Sequence, residues 1–309
     1  MTVSLVARDS DTGDLGIASA SFVLAVGAGV PYLRSGVGAV AVQGGAPPGW
    51  GELALRSLEA GASAQATCDE LAGLSRSGAQ VVVLDSQGRA AVLCDVDLEP
   101  EVSTAVGEGI GVAANLMERP EVAQAALGAY RSSKADDLAG RLLDGLSAAD
   151  GMGGDVRGRQ SAAVRVVAGG GASSSRSLVD LRVDDSRDPV GELRRLYRLH
   201  RAHQLLIASR GPDGLYRDIA AAEQAVRLAP DDQGCLSGLA LALLRAGRPE
   251  EARPLLVRLR ELEARTPERF RRLVRTGHLA IEISSLSELF GDGPGEASLG
   301  SPNNPNDPD

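Results

Sequence analysis

The apolar period of this chain changes in blocks, and the order of those blocks restricts its fold more than any single motif. Thr2–Arg8 alternates, with Val3, Leu5 and Ala7 on one face and Thr2, Ser4 and Val6 on the other, the two-residue period of a strand. The turn residues DSDTGD follow, and Gly16–Ala25 reads as the returning strand. Pro31 breaks the pattern before a third, apolar strand at Val37–Gln43. A Gly/Pro loop over 44–51 carries Trp50, the only tryptophan. Helical spacing then takes over at Leu53, Leu55 and Leu58, and again over Ala66–Leu74 behind a Ser63 cap. Gln80–Leu84 and Arg89–Cys94 flank Asp85-Ser86-Gln87-Gly88 as a hairpin, and Ile110–Ala113 adds a short strand. Two helices are expected over 120–131 and 135–148, then strands at Ser161–Val167 and Leu178–Val183. Asp188-Pro189 opens a helix that reaches His203. Hairpins grouped apart from helix pairs do not build a doubly wound parallel sheet. They fit an α+β fold in which two antiparallel sheets carry helix pairs on their outer faces.

Beyond Arg210–Gly214, which reads as a boundary, the pattern is helical throughout. Leu215–Leu228 is an amphipathic helix, Gly234–Arg245 and Glu250–Ala264 are a second and a third helix, and Pro267 opens a fourth. The run Ala246-Gly247-Arg248-Pro249-Glu250-Glu251-Ala252 resembles the turn of a tetratricopeptide repeat, whose period is about 34 residues. The expected organisation is a domain over 1–208, a tetratricopeptide-like helical region over 211–288, and a disordered Gly/Pro/Asn/Asp-rich tail over 289–309. The helical region reads equally as a hairpin cap on the first domain or as a surface for a protein partner.

Composition narrows the chemistry. The formal charge is −9, which argues against a nucleic-acid or anionic-membrane binder. No apolar run reaches 18 residues, so no membrane span is expected. Cys68, Cys94 and Cys235 are scattered, with no CxxC, as in a reducing cytoplasm, and the N-terminus lacks the charged and apolar regions of a signal peptide. Lys134 is the only lysine, and His200, His203 and His278 all lie beyond the first domain's strands. A Ser-His-Asp or Cys-His arrangement and a His-rich zinc site are therefore not expected there. His200 and His203 read as ordinary helix residues. Neither a metal nor a cofactor is called for.

One hydrolytic arrangement needs neither histidine nor lysine. It is an N-terminal Ser, Thr or Cys whose own α-amino group, with a pKa of about 7.7–8, serves as base. Thr2 is small enough for Met1 to be removed, and it begins a strand. Threonine in that position is commonplace, so the weight comes from Thr2 and the strand order together. The second candidate feature is Gly153–Val167, GGDVRGRQSAAVRVV, a glycine-rich turn bearing Asp155, Arg157 and Arg159 that runs into a strand. Arginines there offer planar forks for a carboxylate or phosphate, or else pair with Asp155 to brace the turn.

Five blocks carry a family resemblance: SLVARDSDTGDLGIA (Ser4–Ala18), FVLAVGAGVP (Phe22–Pro31), GVGAVAVQ (Gly36–Gln43), GGDVRGRQSAAVRVV (Gly153–Val167) and VDLRVDDSRDPVGELRRLY (Val179–Tyr197). Residues 1–205 resemble the bacterial domain of unknown function 1028, placed among the Ntn (N-terminal nucleophile) hydrolase-like proteins. The resemblance implies an αββα sandwich with a small helical extension, and Thr2 within that fold points to an amidohydrolase acting on a small amide or peptide-like substrate. Thr2, Ser21 and Asn115 would be catalytic, with Thr2 the nucleophile, Ser21 polarising it and Asn115 an oxyanion donor or helix cap. Asp155, Arg159 and Trp50 would bind substrate, although each also has a plain structural reading. The chain departs from the family pattern at Phe22, where a Lys or His is usual. It departs again at Pro47–Gly51, at Ala113-Ala114 before Asn115, and at Ser186-Arg187. Those departures point to altered specificity, or to a non-catalytic relative that binds a ligand or assembles, as a homodimer among other options.

Overall fold

The computed structural model describes residues 2–47, 49–74, 78–94, 102–170 and 177–291. They form an α+β protein with antiparallel sheets and a C-terminal helical region. The chain divides into two compact units, 1–197 and 198–309.

The first unit begins with β1 (Thr2–Arg8) and β2 (Leu15–Ser21), then α1 (Val26–Gly29), β3 (Pro31–Arg34) and β4 (Gly38–Gly44). Next come α2 (Trp50–Glu59), α3 (Ala64–Gly73), β5 (Ala79–Asp85), β6 (Ala90–Cys94), β7 (Ser103–Gly107) and β8 (Ile110–Asn115). The unit continues through α4 (Val122–Ser132), α5 (Leu138–Gly151), β9 (Ser161–Val167), β10 (Ser177–Val183) and into α6 (Pro189–Ala208). One sheet has the order β10-β9-β2-β1-β8-β7 and the other β3-β4-β5-β6. Every neighbouring pair in both is antiparallel.

The period-two reading of β1 decides where its side chains go. Val3, Leu5 and Ala7 pack with Leu127, Leu142 and Leu146 of α4 and α5. Val6 instead joins Ile17, Ala39, Ala41, Val82, Leu84 and Ala113 between the two sheets. The outer face of the four-stranded sheet packs on α2 and α3 through Val40, Val81, Val83, Leu55 and Leu71. Ser63 accepts from the Ala66 N–H at 3.1 Å and Asp137 from the Gly140 N–H at 2.8 Å, so α3 and α5 begin on side-chain caps. The Asp85–Gly88 turn is held by the Asp85 carboxylate, which accepts from the N–H groups of Gln87 and Arg89, each at 3.0 Å.

Three short elements depart from the sequence reading. The returning strand stops at Ser21, and the next residues turn into α1 with Ala25 at φ 56°. Pro31 does not simply interrupt; it starts β3, an edge strand where a missing N–H is tolerated. β7, an edge strand that alternates weakly, was not foreseen.

The second unit contains the end of α6, then α7 (Ile219–Leu228), α8 (Gln233–Arg245), α9 (Pro249–Leu262), α10 (Thr266–Arg275) and α11 (Ile283–Leu289). Helix α8 is buried along its length from Cys235 to Leu244, and Phe270 meets Phe290 edge-to-face at 5.6 Å. Asp218 and Asp232 cap α7 and α8. The division at 197/198 falls inside α6 and not at Arg210–Gly214. Val190 and Leu193 belong to the first unit's core, whereas Ala202 and Leu206 belong to the helical cluster. A sequence pattern registers where a helix stops, not where its neighbours change. The expected disordered tail falls, from residue 292 on, outside the described residues.

Helix α5 lies close because of Gly145. A Cβ there would sit 2.5 Å from Leu5 Cδ2 and 2.9 Å from the Ala126 carbonyl oxygen, a backbone atom that cannot rotate away. Gly145→Ala is expected to destabilise the protein by about 1–3 kcal/mol despite alanine's better helix propensity, measured by urea denaturation.

Candidate functional site

The space between the sheets is apolar at one end and polar at the other. At the polar end the alternation that points Val6 inward also points Thr2 and Ser4 inward. Register sets Thr2 opposite both Ser21 and Asn115, and Ser4 opposite Ser19. From the facing sheet come Gln43 and Gln80, paired across β4 and β5. All seven of these residues are buried.

Their hydrogen bonds form one network. Ser4 Oγ donates to Gln43 Oε1 at 2.6 Å and lies 2.8 Å from Ser19 Oγ. Gln43 Nε2 donates to Gln80 Oε1 at 2.6 Å and to the Thr2 carbonyl at 3.0 Å. Gln80 Oε1 also accepts from Asn115 Nδ2 at 2.8 Å, and Gln80 Nε2 donates to the Ala114 carbonyl at 3.2 Å. These bonds fix which way each amide points. Asn115 is therefore left with Oδ1 facing Thr2, where it accepts from the Thr2 nitrogen at 3.0 Å. Thr2 Oγ1 lies 3.1 Å from Ser21 Oγ. Asn115 ends β8 and does not cap α4, whose N-cap is Glu121. Its NH2 group gives one hydrogen to Gln80, and its Oδ1 holds the Thr2 nitrogen.

Ser21 also borders a half-open cleft of about 20 Å³, room for a water or two. Its other walls include Val3, Ala20, Asp150, Asp155, Arg159 and Pro189. Asp155 and Arg159 thus share the cleft but do not pair with each other. The Arg159 guanidinium binds the Asp150 carboxylate at 2.6 Å and the Asp150 carbonyl at 3.2 Å. The Asp155 carboxylate, with a side chain only 3% exposed, accepts from the Phe22 N–H at 3.0 Å, the Arg157 N–H at 2.8 Å and Arg157 Nε at 3.2 Å. Arg157 completes the tie by stacking 5.3 Å over the Phe22 ring. The glycines of this loop are required: Gly154 and Gly158 sit at φ 68° and 118°.

Thr2, Ser21 and Asn115 therefore come together, and Ser21, Asp155 and Arg159 come together, with Ser21 common to both groups. Thr2 is not among the cleft-lining residues. Trp50 joins neither group; it is buried in the core between α2 and the four-stranded sheet, with Val40, Val42 and Leu55. The sequence reading missed Ser4, Ser19, Gln43, Gln80 and Asp150. A signal existed for the first four, polar residues at inward positions of otherwise apolar strands. Of the cysteines in this domain, Cys94 meets the network, its Sγ accepting from Gln80 Nε2 at 3.1 Å, while Cys68 lies in the layer under α3, where burial pushes its thiol up to about 12.

A family of unknown function, DUF1028, matches residues 2–193, and this span takes in both groups. The chain belongs to the DUF1028 family. A solved structure of a DUF1028 protein from Silicibacter pomeroyi is 27% identical and superimposes with a TM-score of 0.58, covering 68% of this chain and 90% of that one. Comparison with curated proteins finds no match. The DUF1028 match ends inside α6, so the helical region from α7 onward lies beyond it.

Asp155→Ala should release both loops at once, leaving the Phe22 N–H without its acceptor. The expected cost is about 1–3 kcal/mol, with Asp155→Asn retaining part of it, read by chemical denaturation. An unchanged midpoint in Asp155→Ala would show that the loops are held by other contacts.

Proposed function

We propose that this DUF1028 protein is an Ntn-type amidohydrolase acting on a small amide or peptide-like substrate, with Thr2 as nucleophile. The observation that carries the reading is the Thr2 environment: hydroxyl against Ser21 at 3.1 Å, nitrogen on Asn115 Oδ1 at 3.0 Å. Removal of Met1 would turn that nitrogen into an amine able to take the hydroxyl proton as the oxygen attacks the amide carbonyl. Asn115 would orient the amine and Ser21 the hydroxyl. Arg159 would meet a substrate carboxylate, with Asp155 holding the loop that presents it. The two sheets with their outer helix pairs fit the αββα sandwich of that superfamily, and the helical region fits a tetratricopeptide-like extension that contacts a protein partner. Neither a metal nor a cofactor is required by this chemistry. A cytoplasmic, homodimeric protein is consistent with the reading.

A second reading, a non-catalytic relative that binds a ligand or assembles, is favoured by one specific observation. Thr2 is only 6% exposed, and the cleft beside Ser21 holds about 20 Å³ and is not lined by Thr2, which leaves no room for a substrate at the hydroxyl in this arrangement.

Intact mass and an amide-hydrolysis screen decide between them. The hydrolase reading expects loss of Met1, and in Thr2→Ala a loss of at least about 10²-fold in activity with an unchanged circular dichroism spectrum. A retained Met1, or activity that survives Thr2→Ala, overturns it.

A further inference from the structure

The second unit holds a cluster that the cleft chemistry does not use. His203 lies on α6, Asp232 is the N-cap of α8, and Cys235 is in the first turn of α8. One ligand-capable atom from each lies within 4.8 Å of the others. His203 Nε2 is 3.0 Å from Asp232 Oδ1, the same oxygen that accepts the Cys235 N–H at 2.9 Å. The side chains grade from the interior outward: Cys235 is buried, Asp232 is 23% exposed and His203 is 47% exposed.

We propose that His203, Asp232 and Cys235 form a three-ligand site for a zinc-class divalent cation that clamps α6 to the start of α8. Capping α8 needs only Asp232. It needs neither an imidazole brought from 29 residues earlier in the sequence nor a thiol at the third helical position. The donor set sorts the cation. A thiol and an imidazole exclude the oxygen-seeking Ca²⁺ and Mg²⁺ and suit Zn²⁺, which takes Cys, His and Asp alike. Tetrahedral zinc places its donors about 3.5 Å apart, so the present separations close with small side-chain rotations. The outer, His203 side leaves a fourth position for water.

Gly234 is a second observation pointing the same way. It occupies the first turn of α8, where glycine is a poor helix former. A Cβ there would lie 3.0 Å from Asp232 Oδ1 and 3.6 Å from His203 Cε1. The missing side chain keeps the space beside Asp232 and His203 open.

The test uses the full-length protein, stripped with a chelator and desalted, titrated with Zn²⁺ alone by calorimetry and with Co²⁺ alone by absorbance. Expected are one Zn²⁺ per chain with submicromolar affinity, a raised melting temperature, and a thiolate-to-cobalt charge-transfer band. His203→Ala, Asp232→Asn and Cys235→Ser should each weaken Zn²⁺ at least about tenfold, and Cys235→Ser should abolish the band. Absence of stoichiometric binding to the unaltered protein overturns the proposal, as does affinity unchanged in these variants. Should Cys235→Ser lose helical circular dichroism, His203→Ala decides alone, because its side chain is half exposed and its removal leaves the core intact. Amide hydrolysis in the first unit is a separate readout, so neither result bears on the other.

Discussion

Two glutamines and an asparagine buried between facing sheets are the constraint on which the rest of this domain depends. An amide side chain removed from water costs free energy for every donor and acceptor it leaves unpaired. Gln43, Gln80 and Asn115 meet that demand jointly, each using another's oxygen or nitrogen and the backbone of β1 and β8. The arrangement exists only when the two sheets are stacked in one register. A slip of one residue would turn Ser4 and Thr2 toward α5 and bring Val3 into the polar end. Apolar contacts at the other end, Val6 against Ala41 and Val82 among them, would tolerate many relative positions. The polar end tolerates one.

That rigidity has a chemical side. At the end of the network Asn115 Oδ1 accepts from the nitrogen of Thr2. The same bonds that fix the sheets therefore fix the first residue of β1, which terminal residues rarely achieve without such ties. Asp155 does the equivalent work on the neighbouring loops, joining the residues after β2 to the glycine-rich turn before β9 through one carboxylate. The candidate site lies where these two restraints meet, at Ser21.

The strand and helix blocks were legible because β1 alternates, because β4 and β5 are apolar runs bounded by turn residues, and because Ser63 and the Asp85–Gly88 turn carry local chemistry. Antiparallel sheets with a C-terminal helical region followed from block order. β3 and β7 were not legible, since short edge strands are held by a neighbour more than by their own pattern. For the site, Thr2, Ser21 and Asn115 were named from the sequence, and the structure gathers them. Their bonding was beyond its reach. Arg159 chose Asp150, nine positions back at the end of α5, over the nearer Asp155, a choice set by how the helix end meets the loop. Gln43 and Gln80 were visible only as strand-terminal polar residues, and their meaning required knowing that β4 and β5 face β1 and β8.

Trp50 gives this protein an asymmetric optical signal. As the chain's only tryptophan, buried with Val40, Val42 and Leu55, it makes intrinsic emission a gauge of one layer, the helical cover of the four-stranded sheet. Opening of the cleft beside Ser21, whose lining does not include Trp50, would pass with little change in that emission. A tryptophan-monitored transition therefore times the loss of α2 packing, and its coincidence with circular dichroism is a direct gauge of whether the layers part together.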